Sequence, residues 1–208
     1  MKPYIPYGRQ NISSDDIKAV TDVLQSDWIT QGDTGPRFEH ELAAYCGAGH
    51  AIAVNSATSA LHIACLALGL ESGDTLWTTP ITFVASANVG LYCGASVDFV
   101  DIDERTFNIC PKKLERKLEQ AKRDGQVPSI VIVVHLSGQP CEMDQMLALK
   151  RKYGFRIIED ASHALGATFQ ETRIGCCAHS DIAVFSFHPV KMITTAEGGA
   201  ATTNCEDL

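Results

Sequence analysis

The residues best suited to chemistry lie in four short stretches. Lys191 closes Ser186-Phe187-His188-Pro189-Val190-Lys191, between the apolar run 181–185 and the small turn Thr194-Thr195-Ala196-Glu197-Gly198-Gly199. A lysine buried in such a setting has a lowered pKa and can form an imine with an aldehyde. An exposed loop lysine is the plainer reading of the same residue. Glu159-Asp160-Ala161-Ser162-His163 puts two acids directly after the apolar run 155–158, where burial is costly without partners. An ionised Asp160 would be stabilised by a protonated ring nitrogen, and His163 would lie on the same side of a helical turn. A helix cap with a nearby histidine explains the stretch equally well. Asn55-Ser56-Ala57-Thr58-Ser59-Ala60 leads from a strand into a helix, where free N–H groups and the helix dipole suit a phosphate. An ordinary cap by Ser56 or Thr58 accounts for it as simply. Phe83, after Thr79-Pro80-Ile81-Thr82, could stack on a flat ligand or pack in the core.

The elements that must position these residues alternate. Strands are predicted over 50–55, 75–79, 97–101, 129–135, 155–159, 181–187 and 199–203, the first of them buried. Helices are predicted over 58–68, 83–93, 111–124 and 142–153. Ser13-Ser14-Asp15-Asp16 reads as the start of an earlier helix, with Ile17, Val20 and Leu24 on one face. Pro36 opens another helix, striped by Phe38, Leu42 and Tyr45 and ended by Gly47. Strand–helix alternation with short connections predicts an α/β fold, a mostly parallel seven-stranded sheet with helices on both faces. In such sheets ligands bind beyond the carboxyl ends of the strands. All four stretches follow strands. His135-Leu136-Ser137-Gly138-Gln139-Pro140 follows another, and reads as a ligand-facing cluster or as a turn.

Together, a phosphate nest, a stacking aromatic, an aspartate for a pyridinium and an imine-forming lysine are the parts a protein supplies to pyridoxal 5′-phosphate. No G-x-G-x-x-G follows the first strand, which argues against a dinucleotide.

Composition narrows the partners. The chain of 208 residues carries 17 basic and 25 acidic residues, net charge −8, which disfavours nucleic acid. No apolar run approaches the roughly 20 residues that cross a bilayer. Met1-Lys2-Pro3-Tyr4 opens without the apolar core of a secretory signal, so the eight cysteines read as free thiols in a reducing cytoplasm. Cys176-Cys177 and His179 lack the spacing of a zinc site, and no metal is expected.

The motifs Ser56-Ala57-Thr58-Ser59-Ala60-Leu61, Thr79 to Asn88, Glu159 to Ala167 and Ser186 to Lys191 resemble the DegT/DnrJ/EryC/StrS sugar aminotransferases, fold-type I pyridoxal phosphate enzymes. The resemblance runs from Tyr4 to the end of the chain. It implies that Lys191 carries the cofactor and moves the proton, Asp160 faces the ring nitrogen, His163 the ring hydroxyl and Phe83 the ring plane. Ala57, Thr58 and Ser186 would hold the phosphate. Thr30, Gln31 and Gly32 match a stretch near the sugar nucleotide. Pro6-Tyr7-Gly8-Arg9-Gln10, the stretch 26–32 and 135–140 are similar to the branch that serves pseudaminic acid synthesis. That branch implies 4-amination of a UDP-linked 4-keto-6-deoxy-N-acetylhexosamine, with glutamate as donor and a homodimer sharing its sites. The resemblance further implies an N-terminal segment 1–35, a cofactor-binding large domain 36–208 and a small closing domain that this chain does not include. Two departures stand out: Ala196 where the family often has glycine, strained if the turn needs positive φ, and Asp33 where proline is common.

Overall fold

The computed structural model describes residues 4–6 and 8–208. Met1, Lys2, Pro3 and Tyr7, part of two stretches quoted above, lie outside the described residues. The elements run α1 Ser14–Leu24, α2 Thr34–Cys46, β1 His50–Val54, α3 Ala57–Ala67, β2 Thr75–Thr78, α4 Ala85–Tyr92, β3 Ser96–Phe99, α5 Pro111–Asp124, β4 Ile130–Val134, α6 Met143–Tyr153, β5 Arg156–Asp160, the hairpin β6 Thr168–Phe169 and β7 Thr172–Arg173, β8 Ile182–Ser186 and β9 Gly199–Thr203.

Local chemistry sets most boundaries. Ser13 caps α1 through a reciprocal box with Asp16, whose carboxylate takes the Ser13 N–H at 2.8 Å. Pro111 opens α5, and Gly125 ends it at φ +70°. α2 starts at Thr34, ahead of Pro36, which sits inside the first turn and so breaks no hydrogen bond. α4 is shorter than its pattern suggested, beginning two residues after Phe83.

The seven main strands form one sheet in the order β1-β9-β8-β5-β4-β2-β3, all parallel except β9, which is antiparallel to both neighbours. Valine and isoleucine alternate across β4. Ile130, Ile132 and Val134 pack under α3 and α4 with Leu61, Leu76 and Val89. Val131 and Val133 face α5 and α6 with Leu114, Leu118, Met143 and Met146. Both faces of the central strands are therefore dry, as a parallel sheet requires. Burying each such aliphatic side chain contributes roughly 1.5–3 kcal/mol.

One expectation needs correction, and two stripes face solvent in part or whole. β1 is not buried: it is the sheet edge, and Ile52 remains 47% exposed. The stripe Ile17, Val20 and Leu24 is 60–68% exposed, and α1 buries none of its residues. Of the α2 stripe, Leu42 is buried but Tyr45 is outside, under the Arg173 guanidinium. The β6–β7 hairpin is an addition, too short for a periodic signal.

Candidate cofactor site at the carboxyl ends of the strands

From β1 the chain crosses the sheet face in α3, and this brings the start of α3 over β8 and β9. Ser56 caps α3 by accepting the Ser59 N–H at 3.1 Å. The first helical N–H groups, those of Ala57 and Thr58, have no intrahelical partner by position. Both residues line a cavity of about 340 Å³ beyond the ends of β4, β5 and β8.

Seven expected residues, Ala57, Thr58, Phe83, Asp160, His163, Ser186 and Lys191, all line this one cavity. They come from four strand ends and the segments that follow them. The period of two along a strand explains the strand-borne members: Ile158 and Asp160 share a face of β5, as do Val184 and Ser186 on β8, under α3 and α4. Phe83 is 70% exposed, an aromatic face left at the cavity rather than used in the core. Thr30, Gln31 and Gly32 do not line the cavity. Gln31 is exposed with φ +56°, and Gly32 packs against Trp28.

Asp160 is buried, and both its oxygens are engaged. Ser86 Oγ donates to Oδ2 at 2.6 Å and the Ser162 N–H to Oδ1 at 3.2 Å. Residues 161–167 form turns, and His163 reaches the cavity from them. Its Nδ1 accepts the Ser137 N–H at 3.2 Å, which leaves Nε2 as the protonated nitrogen. Burial, then the nearby Lys191 ammonium, lowers the His163 pKa below its usual 6.5. Burial also lowers the pKa of Lys191, against the opposing pull of Asp160. A half-buried amine of this kind releases its proton more easily than a surface lysine does.

The neighbouring acid goes elsewhere. Glu159 points to the opposite face of β5, where its Oε2 meets His135 Nε2 at 2.8 Å and Ser180 donates to Oε1. His135 Nδ1 accepts the Cys141 backbone N–H at 3.0 Å. That N–H can only donate, so His135 is the neutral Nε2–H tautomer despite the carboxylate beside it.

Three wall residues gave no signal as single letters: Thr82, His188 and Glu197. Thr82 adjoins Phe83 and His188 follows Ser186 closely, while Glu197 lies further along the turn after Lys191. Among the described residues no group of side chains is suited to a metal, and no helix is long and apolar enough to cross a membrane.

One glycine lets the backbone close around the cavity. A Cβ on Gly199 would meet Ala57 N at 2.4 Å, so β9 passes directly beneath the start of α3. Ala196 holds φ +66° in the β8–β9 turn, confirming the strain foreseen there. The chemistry of the donor set fits pyridoxal 5′-phosphate: unpaired N–H groups and Ser186 for a phosphate, a buried carboxylate for the ring nitrogen, and a half-buried amine for the aldehyde.

Comparison with known proteins agrees with this geometry. The UDP-4-amino-4,6-dideoxy-N-acetyl-β-L-altrosamine transaminase of Campylobacter jejuni serotype O:23/36 is 45% identical over 204 residues, 98% of this chain and 52% of its own length. Helicobacter pylori PseC, an aminotransferase involved in the biosynthesis of pseudoaminic acid, superposes with a TM-score of 0.88 at 35% identity, covering 97% of this chain and 53% of that one. Spr1654 from Streptococcus pneumoniae, solved in a PLP form, gives 0.87 at 32% identity, with 98% of this chain and 54% of that one covered. The chain spans about half the length of the relatives it matches. Residues 10–208 match the DegT/DnrJ/EryC1/StrS aminotransferase family, and the chain belongs to that family.

Proposed function

We propose that this chain is the cofactor-binding part of a sugar-nucleotide aminotransferase. The reaction moves the amino group of glutamate, which leaves as 2-oxoglutarate, to the 4-keto carbon of a UDP-linked 4-keto-6-deoxy-N-acetylhexosamine, as in pseudaminic acid synthesis. One observation carries the reading: Lys191, with its lowered pKa, and the buried Asp160 line the same cavity. Bound there, pyridoxal phosphate supplies an aldehyde carbon to receive the amino group and a ring that withdraws electrons.

The protein's own residues do the rest. Lys191 would hold the aldehyde carbon and would carry the proton between carbon centres. Asp160 keeps the ring nitrogen protonated. The Nε2–H of His163 donates towards the ring hydroxyl, and Phe83 covers the ring face. Ala57, Thr58 and Ser186 hold the phosphate. Thr30, Gln31 and Gly32 serve the sugar nucleotide from outside the cavity wall. We further infer a homodimer, supported by Ile63, Leu66, Leu91 and Tyr92, apolar side chains left 40–60% exposed on α3 and α4. The eight free thiols suit a reducing cytoplasm.

The test is direct. Purified protein with pyridoxal phosphate should turn yellow, and borohydride should fix a pyridoxyl group on the Lys191 peptide. Glutamate and the UDP-4-keto sugar should then yield the 4-amino sugar and 2-oxoglutarate. A GDP-linked 4-keto sugar used in preference would redirect the substrate while keeping the chemistry. Labelling of Lys191 without turnover would reduce the reading to cofactor binding, and no labelling would end it.

A further inference from the structure

We propose that Ser86, backed by Thr82, is the positioning residue that orients Asp160 towards the cofactor's ring nitrogen. The inference rests on the cofactor reading above and extends it to a residue outside the cavity wall.

Ser86 is fully buried on the first turn of α4, and its hydroxyl lies 2.6 Å from Asp160 Oδ2 across 74 residues of sequence. Thr82 Oγ1, from the cavity wall, lies 2.8 Å from it. An ionised carboxylate only accepts, so the single Ser86 proton points to Asp160. The Ser86 oxygen is then free to accept, and Thr82 must be the donor. The protons therefore run one way, from Thr82 to Ser86 to Asp160. With the Ser162 N–H on Oδ1, each carboxylate oxygen has a fixed donor and the group cannot swing about its last torsion. What remains is a defined pair of lone-pair directions for the cavity.

The same turn carries Phe83, whose carbonyl accepts the Ser86 N–H at 3.2 Å. One turn of backbone thus sets both the aromatic at the cavity and the hydroxyl behind the acid. A serine that merely satisfied a buried acid would stabilise the fold without caring what fills the cavity. A positioning serine acts only on ligands that present an N–H to Asp160.

The full 208-residue chain, Ser86→Ala and Thr82→Val are titrated with pyridoxal phosphate and with its 1-deaza analogue, in which C–H replaces the ring nitrogen. Ser86→Ala should weaken pyridoxal phosphate about tenfold, the value of one charge-assisted hydrogen bond, and the deaza analogue less than about twofold. Thr82→Val should act in the same direction, more weakly, and leaves Asp160 and Ser86 in place should Ser86→Ala fail to fold. In 15N spectra the bound ring nitrogen should lose its proton at lower pH in Ser86→Ala than in the unchanged protein. Equal losses for both ligands, or none, would overturn the role while leaving the cofactor reading intact. An unchanged protein that binds neither ligand would overturn both.

Discussion

Gly199→Ala should damage both the fold and the anion site, against the usual trend for that substitution. Gly199 is the first residue of β9, paired with Val54 on one side and Ser186 on the other. An alanine there adopts strand geometry without strain and ordinarily stabilises by about 0.4–1 kcal/mol through the unfolded chain. The surroundings reverse the sign. The added Cβ would lie 2.4 Å from Ala57 N, 2.4 Å from Ser56 C and 2.6 Å from Ser56 O, where ordinary contact begins at 3.4 Å. The start of α3 must retreat by about 1 Å, because β9 is held in two ladders and every clashing atom is backbone. Overpacking of this kind typically costs about 1–3 kcal/mol. For a chain of this size that lowers Tm by about 3–10 °C. The same retreat moves the N–H groups of Ala57 and Thr58, so pyridoxal phosphate should bind at least about tenfold more weakly, the value of a charge-assisted hydrogen bond. Urea unfolding gives the first quantity from the midpoint at constant m-value, and a spectral titration gives the second. A variant as stable as the parent, with the same affinity, would refute the claim that β9 supports the anion cradle by close approach.

Ala196→Gly relieves a left-handed alanine at φ +66° and should stabilise by about 0.5–1 kcal/mol, strain relief of about 1–2 kcal/mol being offset by unfolded-chain entropy. Urea midpoints would show it. Glu159→Ala strands the Nε2–H of His135 and the Ser180 hydroxyl inside the protein and should cost about 3 kcal/mol, whereas Glu159→Gln should cost less because an amide oxygen still accepts one of them. The lowered His163 pKa makes the unfolded chain bind more protons than the folded one below pH 6.5. Stability therefore rises with pH up to about 6.5. His163→Gln should flatten that rise, as seen by thermal melts from pH 5 to 8.

Element positions were largely legible in the sequence because their signals are local. α5 runs over 111–124 as expected, since proline at its start, glycine after its end and the Leu114–Leu118 stripe all lie within its own turns. β4 was legible as a continuous aliphatic run. The cavity residues were legible for a related reason: each ends a strand or lies in the segment after it, and parallel strands gather their carboxyl ends on one edge.

The misses share the opposite cause. β1 has the same aliphatic character as inner strands, yet its exposure depends on β9 being its only neighbour. The stripe on α1 has helical spacing but no covering surface among the described residues, and periodicity reports a face without reporting what covers it. The acid pair Glu159-Asp160 reads as one feature in sequence, and the pleat of β5 divides it. Asp160 turns to Ser86 and the cavity, Glu159 to His135 and the opposite layer.

By itself, then, the sequence determined the order of strands and helices and the residues at their ends, because spacing, caps and aliphatic runs act within a few residues. The tertiary structure alone decided which of those residues meet, and across what distance. The hydroxyl beside Asp160 is 74 positions away, and the backbone beneath the Ala57 N–H belongs to β9, because a crossover chain brings remote segments into contact by topology rather than by proximity in sequence.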